Sequence, residues 1–300
     1  MEKLLLHVGM PKTATTTLQR HVFTKHPDLF AITMFGSDLS TKLCMIIDEL
    51  NRTPLDKIAG IQTRFFDLFD RESIKSPVLI SREDFTFPRK TDLETSPEKL
   101  KRTLGDAKII YVVRQQFEWL QSYYLHHQRR HGSRKMLMPA SYLKAESEKR
   151  NGGVLSVLDF ADQLAKWEAA FGRENIVVIP FEMMKSDPTK FFRLFFSPVK
   201  LKPDGFVRLL AEAPSENQRF SMDDFHAGRM RTHMRKSAPI LYQLSRLFRF
   251  DFFAAPSFDV SPATVNFRDA LPQGIQERWS SQNASLAKRY QLNLKKYGYL

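Results

Sequence analysis

The hydrophobic positions of this 300-residue chain fall into short apolar runs, separated by longer segments whose apolar residues recur at helical spacing. A run that begins at residue 4, and those at 78–80, 109–113 and 176–180, are typical of strands buried on both faces. A weaker run at 29–35 predicts one more strand. This alternation predicts an α/β fold, a single domain with a central parallel sheet flanked by helices.

The helices are predicted from apolar spacing and from breaks at proline and glycine. We expect helices over residues 18–25, 97–104, 157–171, 191–196 and 277–290, one helix after residue 114, and two helices within 40–72. We expect one domain over 1–300, with residues 222–270 as an insertion. No run approaches the roughly eighteen apolar residues that a membrane span needs, and no signal peptide is evident, so we expect a cytoplasmic protein.

The chain is strongly basic, with a net charge of +13 at pH 7. A positive surface attracts acidic ligands such as nucleic acid, anionic membranes and sulfated or phosphorylated substrates, and charge alone does not choose among them. Residues 228–250 contain six Lys or Arg and no acid, with an apolar stripe from residue 240 to 248. Two interpretations stay open for this stretch: a helix that lies on an anionic membrane, and an edge helix packed on the domain.

The first candidate for chemistry directly follows the first strand, at Gly9-Met10-Pro11-Lys12 and the threonine-rich residues after it. The amides of a helix start lack partners within the helix and lie at its positive end, so an anion bound there receives several hydrogen bonds. Lys12 adds positive charge, and threonine hydroxyls at positions 13, 15, 16 and 17 add donors. The loop lacks the second glycine of a Walker loop. The other interpretation is an ordinary turn whose threonines cap the helix.

The second candidate is Glu83, which follows the strand at 78–80. In open parallel sheets ligands bind beyond the carboxyl ends of strands, so a polar residue there is a site candidate by position. Glu83 is therefore a candidate site residue. The other interpretation is that Glu83 or Asp84 caps the next helix or pairs with Arg82.

The third candidate is Arg114, at the end of the strand at 109–113, with Ser122 eight positions later on the following helix. The planar guanidinium can hold two phosphate oxygens at once. The other interpretation is a strand-end ion pair and a serine on a helix surface.

Together these segments resemble the sulfotransferases. The stretch Pro11-Lys12-Thr13-Ala14-Thr15-Thr16 is similar to the loop of that family that holds the 5′-phosphosulfate end of 3′-phosphoadenosine 5′-phosphosulfate (PAPS). The pair Arg114 and Ser122 resembles the family's 3′-phosphate motif. The helix at 277–290 resembles the closing helix of bacterial members. Ala14 departs from the pattern, since the family often has glycine there; we expect Ala14 to have φ below zero and the helix to begin one residue early.

The resemblance implies a P-loop-like sulfotransferase fold and a PAPS site without a metal. The implied donor-binding residues are Pro11, Lys12, Thr13, Ala14, Thr15, Thr16, Thr17, Arg114 and Ser122, with Asn217 and Arg219 in a loop that returns over the nucleotide. Lys12 would stabilise charge on the leaving oxygen, Glu83 would accept the acceptor's proton, and Glu182 would be structural. The implied acceptor is a hydroxyl, with a glycan or glycolipid preferred, and no nucleic-acid partner is expected.

Two other functions stay open at this point. A P-loop kinase would require magnesium and a Walker-type loop. A non-enzymatic binder of acidic polymer or membrane would follow from the charge and from residues 228–250. His127 and His131 lie four residues apart but lack a third ligand in view, so no metal site is predicted.

Overall fold

The computed structural model describes residues 4–70, 74, 76–87, 95–131, 138–149, 153–214 and 266–299 and isolated positions between 230 and 243, with the backbone alone at 70 and 128–131. The chain divides into two compact units. The first unit contains residues 1–115, 150–216 and 276–300, and the second contains residues 116–149 and 217–275. The extent of one domain over 1–300, with an insertion at 222–270, stays a prediction.

A five-stranded parallel sheet forms the centre of the first unit, in the order β2-β3-β1-β4-β5. Its strands are β1 (Leu4–His7), β2 (Phe30–Ile32), β3 (Val78–Ser81), β4 (Lys108–Val113) and β5 (Ile176–Pro180). Leu6 of β1 pairs with Ile80 on one side and with Ile109 on the other. Because all five strands are parallel, their carboxyl ends lie along one border of the sheet, here named the carboxyl edge. The predicted α/β fold is confirmed.

The helices are α1 (Thr15–Thr17), α2 (Asp38–Arg52), α3 (Ala59–Asp70), α4 (Ser96–Leu104), α5 (Gln116–His131), α6 (Pro139–Ser147), α7 (Phe160–Phe171), α8 (Phe181–Ser186), α9 (Pro188–Phe196), α10 (Asp204–Glu212) and α11 (Gln273–Tyr290). Helix α1 continues into a π-helical turn (Leu18–Val22) and a 3₁₀ turn (Phe23–Lys25). Helices α5 and α6 belong to the second unit, and α11 belongs to the first unit from residue 276 onward. No helix in the described part of the chain has the length and apolar character that crossing a membrane requires.

Two elements are shorter than their apolar pattern predicts, and side-chain hydrogen bonds explain both. The strand expected over 29–35 ends at Ile32, because the Thr33 amide donates to the Ser40 hydroxyl at 2.9 Å. The helix expected over 157–171 begins at Phe160, after a 3₁₀ turn (Gly153–Leu158). Between them the Asp159 carboxylate accepts a hydrogen bond from Arg278 at 3.0 Å and does not cap the helix.

A phenylalanine cluster covers one face of the sheet. Its members are fully buried and come from the turn after α1, from α9 and from α10: Phe23, Phe191, Phe192, Phe195, Phe196 and Phe206. The rings of Phe196 and Phe206 stack with centroids 3.9 Å apart. Burial of each such ring stabilises the fold by about 1.5–3 kcal/mol, so this cluster fixes the segment after α1 firmly on the sheet.

The second unit has its own aromatic core. The ring of Tyr124 on α5 packs edge-to-face against Tyr142 of α6 and against Phe267, each with centroids 5.2 Å apart. The Arg268 guanidinium lies 5.0 Å from the centre of the Phe117 ring. The helix expected after residue 114 is therefore present, and its aromatic residues join it to other elements of its own unit.

Candidate active site at the carboxyl edge

The loop after β1 has an unusual backbone. Its first residues continue to pair with β4, where the amides of Val8 and Met10 donate to carbonyls at 3.0 and 3.2 Å. Lys12 and Ala14 then both adopt the left-handed conformation, with φ of 69° and 57°. Such a backbone can turn successive amides toward one point and form a concave anion site. The expectation that Ala14 has φ below zero is wrong, and α1 begins only at Thr15.

Two of the four loop threonines bind within the protein. The buried Thr13 hydroxyl donates to the Met10 carbonyl at 2.7 Å, which closes the turn that contains Lys12. The buried Thr15 hydroxyl lies 3.3 Å from the Thr13 hydroxyl and beside the Glu83 carboxylate. Thr16 and Thr17 are partly exposed, as is Lys12, whereas Pro11 is buried. The groups able to meet a ligand are therefore Lys12, the two later threonines and the loop amides.

Glu83 lies directly beside this loop. It begins the 3₁₀ turn (Glu83–Thr86) that follows β3, and its carboxylate lies beside Thr15 and within electrostatic reach of Lys12. Burial raises the pKa of Glu83; the neighbouring Thr15 hydroxyl and the positive charges of Lys12 and Arg82 act in the opposite direction but do not cancel the rise. A carboxylate with a raised pKa is a stronger proton acceptor than an exposed one.

The neighbouring acid, Asp84, has a different role. Its carboxylate accepts a hydrogen bond from Arg82 at 2.9 Å, and Arg82 also pairs with Asp48 of α2 and contacts the Cys44 thiol at 3.2 Å. Sequence reasoning left open which acid pairs with Arg82. In the structure Asp84 forms that pair, and Glu83 faces the loop.

A buried polar cluster beneath the loop was not predicted. His7, the last residue of β1, is 1% exposed, and its Nδ1 lies 2.8 Å from the Ser81 hydroxyl. The Gln19 amide donates to the same hydroxyl at 3.0 Å and to the Ser81 carbonyl at 2.8 Å. Burial lowers the pKa of His7 to about 3, so its ring is neutral. A side-chain carbon added at Gly9 would lie 2.9 Å from His7 Nε2, so the loop packs directly on this ring.

Arg114 joins β4 to the loop. Its Nη1 donates to the Lys12 carbonyl at 2.7 Å, and its guanidinium lies 5.1 Å from the centre of the Phe181 ring. The structure thus brings Lys12, Thr15, Glu83 and Arg114 together, and their roles stay predictions. Ser122 lies on α5 of the second unit and is partly exposed. Asn217 and Arg219 lie outside the described residues.

Glu182 has the structural contacts that the sequence indicated. One carboxylate oxygen accepts from the Gln115 amide at 3.0 Å, and the other accepts from the Tyr299 hydroxyl at 3.0 Å. Gln115 and Tyr299 were missed, because neither belongs to a recognisable motif. In the described part of the chain, no group of His, Cys, Asp and Glu is arranged to hold a metal ion.

These residues fall within a match to a known protein family. The family model described as "Sulfotransferase domain" matches residues 2–194, which include the loop, Glu83, Arg114 and Glu182. The chain belongs to the sulfotransferase family. Membership confirms the resemblance seen in the sequence and disfavours both the kinase and the non-enzymatic binder.

Solved structures similar to this sulfotransferase are also sulfotransferases. The one from Alicyclobacillus acidocaldarius is 21% identical, with 83% of this chain and 96% of that chain covered and a TM-score of 0.47. The domain from the Synechococcus PCC 7002 olefin synthase is 15% identical (83% and 94% covered, TM-score 0.44). Mouse SULT7A1, solved with 3′-phosphoadenosine 5′-phosphate (PAP), is 12% identical (96% and 83% covered, TM-score 0.41). Comparison with the curated proteins finds no match.

Proposed function

We propose that this sulfotransferase transfers a sulfuryl group from PAPS to an acceptor hydroxyl, with Glu83 as the general base. The observation that carries the proposal is the position of the Glu83 carboxylate, which lies beside Thr15 and within electrostatic reach of Lys12 in the loop after β1. This position sets a partly buried carboxylate against the loop that we propose holds the donor. A base must lie within hydrogen-bonding reach of the proton it removes, and a sulfuryl group held by this loop would bring the acceptor hydroxyl to that point.

The loop is proposed to hold the 5′-phosphosulfate end of the donor. The left-handed residues Lys12 and Ala14 shape a concave backbone, and the partly exposed Thr16 and Thr17 add hydroxyl donors. The Lys12 ammonium would stabilise the negative charge that develops on the oxygen between phosphorus and sulfur as the bond from this oxygen to sulfur breaks. Pro11, Thr13 and Thr15 support the loop from within.

Arg114 and Ser122 are proposed to bind the 3′-phosphate. A guanidinium suits this task, and the contacts of Arg114 with the Lys12 carbonyl and the Phe181 ring limit its orientations. Ser122 follows eight positions later, as in the family motif. Asn217 and Arg219 remain proposed contacts of a loop that returns over the nucleotide.

The proposed acceptor is a glycan or glycolipid. Glu83 follows β3, and β2 is the neighbour of β3 at the outer edge of the sheet. In the turn after β2, Met34 and Phe35 are 40% and 38% exposed to solvent. The Arg20 guanidinium lies 4.5 Å from the centre of the Phe35 ring. An exposed ring beside a cation offers an apolar face and a charge on the side of the sheet where the acceptor would approach.

We also propose a cytoplasmic enzyme that contacts the membrane peripherally through residues 228–250. More than half of that stretch lies outside the described residues. Of the positions described there, Ile240 and Leu241 are 73% and 55% exposed, which supports an apolar contact with a partner surface.

Calorimetric titration without magnesium tests the donor site. We expect 3′-phosphoadenosine 5′-phosphate (PAP) to bind the wild type with micromolar affinity and ADP to bind far more weakly, because ADP lacks the 3′-phosphate. Arg114→Ala should abolish the preference. Arg64→Ala is the matched control, since it removes the same charge from a surface pair with Glu49. Equal binding of the two nucleotides to the wild type, or none, would overturn the proposal.

A further inference from the structure

The peptide after Arg114 is fixed by residues that lie far away in the sequence. The Gln115 amide donates to Glu182 at 3.0 Å. The Gln115 side chain donates to the Gly298 carbonyl at 3.3 Å, although the two residues are 183 positions apart. The chain therefore anchors the residue next to Arg114 through both its backbone and its side chain.

Tyr299 completes this anchor. Its hydroxyl donates to the second carboxylate oxygen of Glu182 at 3.0 Å, and its side chain is buried. A 3₁₀ turn (Leu294–Tyr297) and the left-handed Gly298 (φ 74°) direct Tyr299 to this point, and the Tyr299 amide donates to the Leu294 carbonyl at 3.3 Å. Burial and the Glu182 charge raise the pKa of Tyr299, so the hydroxyl stays protonated and remains a donor.

Arg114 links this anchor to the loop after β1. On one side its guanidinium lies 5.1 Å from the ring of Phe181, the residue before Glu182. On the other side it donates to the Lys12 carbonyl at 2.7 Å. A continuous path of contacts thus runs from Tyr299 through Glu182 and Gln115 to Arg114.

We propose that Tyr299 and Glu182 are positioning residues that orient Arg114 for the 3′-phosphate, so that the segment 294–299 sets the nucleotide discrimination of the enzyme. The proposal rests on the proposed function, in which Arg114 binds that phosphate. Two parallel hydrogen bonds to one phosphate form only when the guanidinium plane is held in place. Binding groups must keep their productive geometry to within about half an ångström, and they depend on supporting residues to do so.

The test compares the affinities of PAP and adenosine 5′-monophosphate (AMP), which differ only in the 3′-phosphate. The ratio of the AMP and PAP dissociation constants isolates the contribution of that phosphate. Tyr299→Phe removes only a hydroxyl, and we expect the ratio to fall about tenfold, which corresponds to most of one charge-assisted hydrogen bond. AMP affinity should change little. A purely structural role for Tyr299 would weaken both nucleotides equally.

Tyr290→Phe is the matched control. It also removes a tyrosine hydroxyl that donates to a carboxylate, that of Glu168 at 2.5 Å, but on α11. Its ratio should equal that of the wild type. In an Arg114→Ala background, Tyr299→Phe should have no further effect on the ratio, because the residue that it positions is gone.

The outcomes are distinguishable. An unchanged ratio in Tyr299→Phe, or the same change in the Arg114→Ala background as in the wild type, overturns this proposal and leaves the proposed function intact. A wild type that does not prefer PAP over AMP overturns the proposed function and this proposal with it. If Tyr299→Phe does not fold, Glu182→Gln is measured in the same way, because it keeps the acceptor for the Gln115 amide but alters the contact with Tyr299.

Discussion

Replacing His7 with glutamine should make the stability of the protein less sensitive to acid. Burial lowers the pKa of His7 to about 3 in the folded chain, whereas an unfolded histidine has a pKa of about 6.5. Below about pH 6.5 the unfolded chain therefore binds a proton that the folded chain does not, and acidification favours unfolding. The stability that depends on neutral His7 is fully present above that pH and is lost as the pH falls.

The two pKa values set the size of the effect. Between these two values, each pH unit of acidification lowers the free energy of unfolding by about 1.4 kcal/mol, so the loss from pH 7.5 to pH 5.0 is about 2 kcal/mol. Two acids oppose this trend, because burial raises the pKa of Glu83 and of Asp159, and a raised acid pKa favours folding as the pH falls. The difference between wild type and His7→Gln is therefore the diagnostic quantity, and not the slope of either protein.

Urea unfolding followed by tryptophan fluorescence at pH 7.5, 6.5, 5.5 and 5.0 measures this difference. The three tryptophans of the chain, Trp119, Trp167 and Trp279, are buried and should report unfolding strongly. The wild type should lose about 2 kcal/mol more than His7→Gln over this range. His26→Gln is the control. Its acid-induced loss of unfolding free energy should differ less from that of the wild type, because His26 is partly exposed. Parallel curves for wild type and His7→Gln would refute the reasoning.

Three further predictions concern the loop and the base. Glu83→Gln should lower the rate of sulfuryl transfer from PAPS at least about 100-fold with PAP affinity nearly unchanged, whereas Asp84→Asn should stay active. Because burial raises the pKa of Glu83, the kcat of the wild type should decline on acidification at a higher pH than an exposed glutamate would give. Ala14→Gly should raise the free energy of unfolding by up to about 1 kcal/mol, as measured in urea, because glycine adopts φ 57° without strain. Gly9→Ala should cost about 1–3 kcal/mol and weaken PAP binding, since its added carbon would lie 2.9 Å from His7 Nε2; wild-type stability would contradict this.

The sheet was predictable because its strands are buried on both faces and so appear as continuous apolar runs. The strand at 176–180 matches β5 to the residue. The end of β2 was not predictable in the same way, since Met34 and Phe35 extend the apolar run although both are exposed. The Ser40 hydroxyl ends the strand there, and hydrophobicity carries no information about that bond.

The candidate site was predictable where it depends on position at the carboxyl edge. Glu83 and Arg114 directly follow strands, and the rule for parallel sheets identifies both. His7 was overlooked because it stands inside an apolar run, where only its polarity marked it. Tyr299 lies 117 positions from Glu182, and nothing in its local sequence distinguishes it from the nearby Tyr297.

The loop after β1 depends on contacts outside it. Left-handed backbone at Lys12 and Ala14 costs on the order of 1–2 kcal/mol for each residue, and no glycine relieves it. The hydrogen bond from Arg114 to the Lys12 carbonyl contributes about 1–3 kcal/mol, which is comparable to the cost at one of these residues. Arg114, which is proposed to bind phosphate, therefore also holds the loop in shape, and Glu83, the proposed proton acceptor, lies against the same loop.

This double role decides which substitutions can reveal mechanism. Glu83→Ala removes the proton acceptor and the side chain that lies against Thr15 together, so lost activity in that variant would not distinguish chemistry from a collapsed loop. Glu83→Gln keeps an oxygen that can accept from the Thr15 hydroxyl while it can no longer take up a proton. If PAP affinity survives in Glu83→Gln but fails in Glu83→Ala, the loop depends on the hydrogen bond and the chemistry depends on the charge. Equal PAP affinity in both variants would show that the loop keeps its shape without Glu83.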